Sequence, residues 1–69
     1  MKIQYFADTD TLYFDLMAGP SLQTEIINDN FVIDFDSDHN VVGITLEHAS
    51  HAIDLSSVKT INLPEVTYS

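Results

Sequence analysis

Between Phe31 and His48 apolar residues alternate with polar ones on both sides of a polar break. The stretch reads Phe-Val-Ile-Asp-Phe-Asp, then Ser-Asp-His-Asn, then Val-Val-Gly-Ile-Thr-Leu-Glu-His. Period-two alternation interrupted by turn residues predicts a half-buried β-hairpin. With Asp36 paired to Val41 across a four-residue loop, Phe35 faces Val42, Ile33 faces Ile44 and Phe31 faces Leu46, while Asp34 lies opposite Gly43 on the other face. A slip of one residue would scatter the apolar set over both faces, so the pattern specifies its own register.

The start of the chain repeats this design. Lys2 to Phe6 and Thr11 to Met17 flank Ala7-Asp8-Thr9-Asp10. The same loop length sets Tyr5 opposite Leu12, Ile3 opposite Phe14 and Met1 opposite Leu16, with Lys2 meeting Asp15 on the outer face beside Tyr13. Asp8 and Asp10 read as turn residues whose carboxylates accept nearby backbone N–H groups. Ala18-Gly19-Pro20-Ser21 is a break, after which Leu22 to Ile27 forms a further strand. A two-residue loop at Asn28-Asp29 would set Ile26 opposite Phe31, Thr24 opposite Ile33 and Leu22 opposite Phe35; a longer loop over Asn28-Asp29-Asn30 is the alternative.

From Ala49 to Val58 the period of two is lost, and Ala49, Ala52 and Ile53 fall on one side of a short helix. Its weak helix formers limit it to one or two turns, with Asp54 placed to cap a second turn at Leu55. Thr60 to Leu63 is β-like and Pro64 ends it, leaving residues 65–69 as a loose tail. The predicted fold is therefore α+β and a single domain over residues 1–69. It is an antiparallel β-meander of about five strands, each beside its sequence neighbour, with one short helix packed on one face and a short C-terminal β segment. One small helix covers such a sheet poorly, so a homo-oligomer is expected to bury part of the apolar face or an edge strand.

The formal net charge of −9 arises from 11 acids against Lys2 and Lys59, with no arginine. That balance argues against a phosphate-backbone binder and against an anionic membrane surface; it reads either as a solubility device or, more sharply, as the complement of a basic partner protein. With no cysteine there is no disulfide framework and no thiolate metal site. The opening Met-Lys-Ile-Gln-Tyr-Phe-Ala-Asp does not read as a signal peptide, and no stretch reads as a membrane span, so a cytoplasmic location is expected.

Candidate chemistry is sparse. Asp34-Phe35-Asp36-Ser37-Asp38-His39-Asn40 opens like a calcium loop, but His39 and Thr45 stand where that loop needs Gly and Glu, and both flanks read as strand. His48 and His51 share a turn without a third ligand, and His48 continues the apolar face of its strand, which suggests a partly buried side chain. No nucleophile motif and no phosphate-binding glycine loop occurs. The expectation is no catalytic residue, no cofactor and no specific metal site. Asp15, Asp34, Asp36 and Asp38 are the candidate partner-binding residues.

Several of these residues together resemble a family of small bacterial proteins known as domain of unknown function 2283. Its members read Met-Lys-Ile-x-Tyr at the start, then Asp-x-Leu-Tyr, Asp-x-Asp, a short turn, Val-Val-Gly-Ile-Glu and Ala-Ser. The matching residues are Met1 to Tyr5, Asp10 to Tyr13, Asp34 to Asp36, Val41 to Ile44 and Ala49-Ser50. Thr45 replaces a common acid, and His39 stands where the turn usually has Gly after Asp38. The resemblance implies no established activity; some members look like antitoxin partners of a small toxin-like protein. The leading expectation is a small acidic interaction module, antitoxin-like toward a basic protein. The alternatives are a small enzyme or ligand-binding protein using outer-face carboxylates, or a weak divalent-ion binder.

Overall fold

A computed structural model describes residues 1–64. Five strands form one antiparallel sheet: β1 (Lys2–Phe6), β2 (Thr11–Asp15), β3 (Gln23–Asn28), β4 (Phe31–Phe35) and β5 (Val41–Leu46). A single helical turn, α1 (Ala49–Ala52), follows. The strand order is β1-β2-β5-β4-β3. The chain is thus a hairpin, β1–β2, joined along β2 to the outer side of the three-stranded meander β3–β4–β5. The expected neighbour relation of β2 and β3 fails, because the Gly-Pro break releases the chain to the far edge of the sheet. That leaves β2 free to pair with β5, whose apolar alternation matches its own: Leu12 lies opposite Leu46 and Phe14 opposite Ile44.

The first hairpin has the register its apolar pattern predicts, with Tyr5 opposite Leu12, Ile3 opposite Phe14 and Lys2 opposite Asp15. Asp10 ends the four-residue loop in the left-handed region, at φ 54°. In the central hairpin Phe31–Leu46, Ile33–Ile44 and Asp34–Gly43 also pair as predicted. The register changes beyond them: Phe35 pairs with Val41, and Val42 is the extra residue of a β-bulge. The cause is the turn. The Asp36 N–H donates to the Asn40 carbonyl at 3.0 Å, and the His39 N–H donates to the Asp36 carbonyl at 3.1 Å. The loop is therefore three residues rather than four, and it closes on His39 at φ 65°. A turn followed by a left-handed residue is the common geometry for such loops.

The β3–β4 register departs further. The turn falls at Asp29-Asn30 rather than Asn28-Asp29, held by the Asn30 N–H donating to Asn28 Oδ1 at 2.9 Å. Asn28 then pairs with Phe31, Ile27 bulges, and Ile26 pairs with Val32 and Thr24 with Asp34. Neither turn residue has positive φ; the bulge supplies the twist that a primed turn would otherwise give. As a result Gln23 and Glu25, not Leu22 and Ile26, share the face of Ile33 and Phe35.

No alternation of buried and exposed residues appears along β4 or β5; most of their side chains are half-buried on both faces. Buried apolar residues are Leu12, Phe35, Val42 and Ala49. A four-residue helix is about 6 Å long, against about 19 Å across five strands, so α1 does not cover the face expected for it. Its backbone is tied instead to the β1–β2 turn, where the Ala49 N–H donates to the Asp10 carbonyl at 2.9 Å. Thr60–Leu63 forms no strand, and its apolar side chains Ile61 and Leu63 are left exposed rather than paired into the sheet. Asp54 does cap a turn, accepting from the Ser56 N–H at 3.0 Å, though the turn is not helical. The loose tail expected over 65–69 lies outside the described residues.

Gly43 occupies the centre of the sheet for a steric reason. A Cβ there would lie 2.5 Å from Tyr13 Oη, 3.1 Å from Tyr13 Cζ and 3.3 Å from Asp34 Oδ2. Gly43→Ala should therefore destabilise by about 1–3 kcal/mol, as overpacking does. Combining it with Tyr13→Phe should cost less than the sum of the two single changes, because the phenol oxygen is the nearest obstacle. Denaturant unfolding of the four proteins checks this; strict additivity would show that the contact carries no energy.

His39 pairs an unfavourable backbone with a favourable side chain, since its ring stacks on Phe35 with centroids 4.4 Å apart and planes within 4°. His39→Gly relieves the backbone and forfeits the stacking, so its midpoint should stay close to the parent's. His39→Val keeps a backbone still less suited to a β-branched residue and forfeits the stacking, and should lose about 1–3 kcal/mol. Equal stability of the two variants would contradict this balance.

Candidate functional site

Strand register lines up one row of side chains across the outer face: Lys2, Asp15, Gly43, Asp34 and Thr24. Asp15 and Asp34 flank Gly43 from β2 and β4, so their backbones are about 10 Å apart, twice the strand spacing. Both are half-buried. Thr24 Oγ1 donates to Asp34 Oδ1 at 2.9 Å. The Tyr13 ring leans over the bare Gly43 backbone between them. Its phenol pKa is raised, first by burial and then by the charges of Asp34 and Asp15.

Asp36 and Asp38 lie in the β4–β5 turn at the same end of the sheet as this row. The four carboxylates named from the sequence are thus gathered at one end. Their settings differ, however. Asp36 Oδ1 accepts from the Asp38 N–H and the Asn40 N–H, each at 2.9 Å, and Asp36 Oδ2 accepts from Asn40 Nδ2 at 3.1 Å. These bonds, the Asn40 backbone foremost, hold the Asp36 carboxyl below the usual carboxylate range. Asp36 is therefore committed to shaping the turn, whereas the Asp38 side chain is exposed. A shallow hollow of about 240 Å³ adjoins the row, lined by Met1, Lys2, Asp15, Leu16, Met17 and Ala18.

A second cluster sits at the opposite end and was not singled out as a site from the sequence. Asp10 accepts from the Tyr5 hydroxyl at 2.7 Å, from Ser50 Oγ at 2.7 Å, and from the Ser50 N–H at 3.1 and 3.3 Å. The turn carboxylate thus satisfies an N–H at the start of α1 from 40 positions away in sequence. This is N-capping performed by a distant residue, and it is needed because His48, at the N-cap position with φ 52°, makes no side-chain cap. The left-handed turn at His48 also directs its side chain into solvent rather than along the apolar face. The Ser50 hydroxyl and then the Tyr5 phenol lower the Asp10 pKa, with smaller help from the Ser50 amide and His51. The same bond raises that of Tyr5. The signal in sequence is present but not readable as a contact: Tyr5, Asp10 and Ala49-Ser50 all belong to the quoted motif.

Among the described residues no group of three or more His, Cys, Asp or Glu comes together in a way that could hold a metal ion, and no helix is long and apolar enough to cross a membrane. The chain belongs to the family described as Protein of unknown function (DUF2283), whose model matches residues 2–50, 49 of the 69 residues. Neither a curated protein nor a solved structure matches it.

Asp10→Gly retains the left-handed backbone of the turn and removes the carboxylate. The β1–β2 hairpin should persist while the Ser50 amide exchanges faster, and Asp10→Asn, which keeps one acceptor, should fall between. Hydrogen exchange by NMR reads this, and unchanged protection of Ser50 in Asp10→Gly would refute the cap. The pH dependence has a definite sign. Folding lowers the Asp10 pKa, so the stability it contributes is complete above the usual carboxylate range and is lost as pH falls through its depressed folded value. Asp10→Asn should flatten part of the acid limb of the stability curve, with Asp36 and Asp54, also lowered, supplying the remainder.

Proposed function

We propose that this member of the DUF2283 family is an acidic protein-interaction module, antitoxin-like in that its carboxylate surface neutralises a basic protein. The single observation that supports the reading most is the outer row, where Asp15 and Asp34 stand on rigid central strands either side of a glycine. Carboxylates fixed on strands lose little side-chain freedom when a cation docks, unlike those on mobile loops. Asp38 extends the negative surface into the turn, and Asp36 adds charge although its oxygens are engaged. A net charge of −9 supplies the long-range attraction. Lys2, at the edge of the row, bounds the patch on one side.

The reading predicts kinetics of a particular kind. Charge steering acts mainly on encounter, so raising salt should lower the association rate more than it raises the dissociation rate. Asp15→Asn combined with Asp34→Asn should slow association with a captured basic protein by about tenfold, the lower end of what charge steering contributes to on-rates, without unfolding the sheet. Surface plasmon resonance at two ionic strengths checks both. Association indifferent to salt and to the double substitution would reduce the charge to a solubility device.

A further inference from the structure

The opposite face of the sheet raises a separate question. It carries Ile3, Phe14, Ile33, Ile44 and Leu46 from four strands, and the acid that register adds to it, Glu25, sits on the edge strand β3. Nothing in the described chain lies across it as a layer. In the stretch after α1, Val58, Ile61 and Leu63 are themselves largely exposed, so they do not seal the face. The accessible surface of the chain is 5443 Å². A monomer of 7.7 kDa is expected to expose about 4,300 Å², so the excess is roughly 1,100 Å². Part of it belongs to the exposed stretch after α1. Another part comes from this face itself, where Ile3 and Tyr5 are 47% and 45% exposed.

We infer that a second copy of this chain covers the apolar face, the two sheets stacking face to face about a two-fold axis with both carboxylate rows turned outward. Stacked sheets approach to about 10 Å and interdigitate apolar side chains, which a nearly charge-free face permits. A basic partner has no counter-charge to select it there beyond the peripheral Glu25, whereas a second copy brings the same apolar surface and needs none. Self-complementary two-fold contacts are also the commonest in homo-oligomers. Edge pairing is less favoured as the mode of association: β3 carries a bulge and Glu25, and β1 carries Lys2, features that blunt edges. The charge then has a distinctive consequence. Two chains of −9 repel at long range while their contact surface is apolar, so salt should tighten the dimer by screening. Salt should weaken binding of a basic protein, and the two responses have opposite sign, so either idea can fail without the other.

Sedimentation of the full chain from low micromolar to near millimolar concentration, at low and high salt, tests the proposal. A dimer that tightens with salt is expected. Ile3→Glu, on the apolar face and already 47% exposed, should weaken it about tenfold or more, equivalent to about 1.4 kcal/mol. Ile26→Glu adds the same charge on the outer face, where Ile26 is 73% exposed, and should leave it nearly unchanged. A measurement on the unmodified chain avoids dependence on folding of variants. A soluble paramagnetic agent should broaden the methyl signals of Ile26 and Val32 much more than those of Ile33 and Ile44. A monomer throughout the range, a dimer loosened by salt, a dimer broken by Ile26→Glu but not by Ile3→Glu, or equal broadening of both methyl sets would each overturn the proposal.

Discussion

Everything in this fold depends on the ladder between β2 and β5. Without it there would be an isolated two-stranded hairpin, which is marginal alone in water, and a separate three-stranded meander. The ladder brings Leu12 against Leu46 and Phe14 against Ile44, and it places the Tyr13 ring over Gly43. It also sets the β1–β2 turn at the end of the sheet where the chain leaves β5, which is what allows Asp10 to reach Ser50. One non-local pairing therefore fixes the central row of the outer face and the position of the only helical turn among the described residues.

Local information was readable from the chain and non-local information was not. The registers Tyr5–Leu12, Ile3–Phe14 and Ile33–Ile44 follow from alternation alone, because a slip would expose them all. The same rule says nothing about whether β2 neighbours β3 or β5, since both strands offer an apolar stripe. The β3 error is subtler. Alternation of Leu22, Thr24 and Ile26 suggests that they face the apolar side, yet the Asn28 side chain fixes the turn one position later and the bulge at Ile27 absorbs the mismatch. His39 shows a related limit. Its left-handed backbone explains why this turn position suits glycine, but the stacking on Phe35 that offsets the strain is a tertiary fact.

The candidate site divides along the same line. That Asp34 lies beside the turn carrying Asp36 and Asp38 was legible from the local hairpin, but Asp15 joins their row only through the non-local ladder between β2 and β5. What the sequence conceals is that these acids are not equivalent. Asp36 spends its oxygens on Asp38 and Asn40, and Asp34 shares one oxygen with Thr24. Asp10 was legible only as a turn residue, and its longer reach to the helix depends on a ladder that local patterning does not specify.

The family motif itself reads differently once the contacts are known. Tyr5, Asp10, Ala49 and Ser50 make the joint between the first turn and the helix. Tyr13, Asp34 and Gly43 make the close packing at the centre of the sheet. Asp36 makes the turn between β4 and β5. A motif accounted for in this way specifies a scaffold, and a scaffold by itself does not imply an activity. In the proposed reading, specificity resides in what the scaffold leaves open: the side chains along the outer row that the motif does not name, Asp15 among them, and the uncovered apolar face. Those two surfaces point in opposite directions across a single layer of strands. A change that adds charge to one therefore has no direct steric route to the other, and the proposed partner binding and the inferred self-association would be free to vary independently on the same five strands.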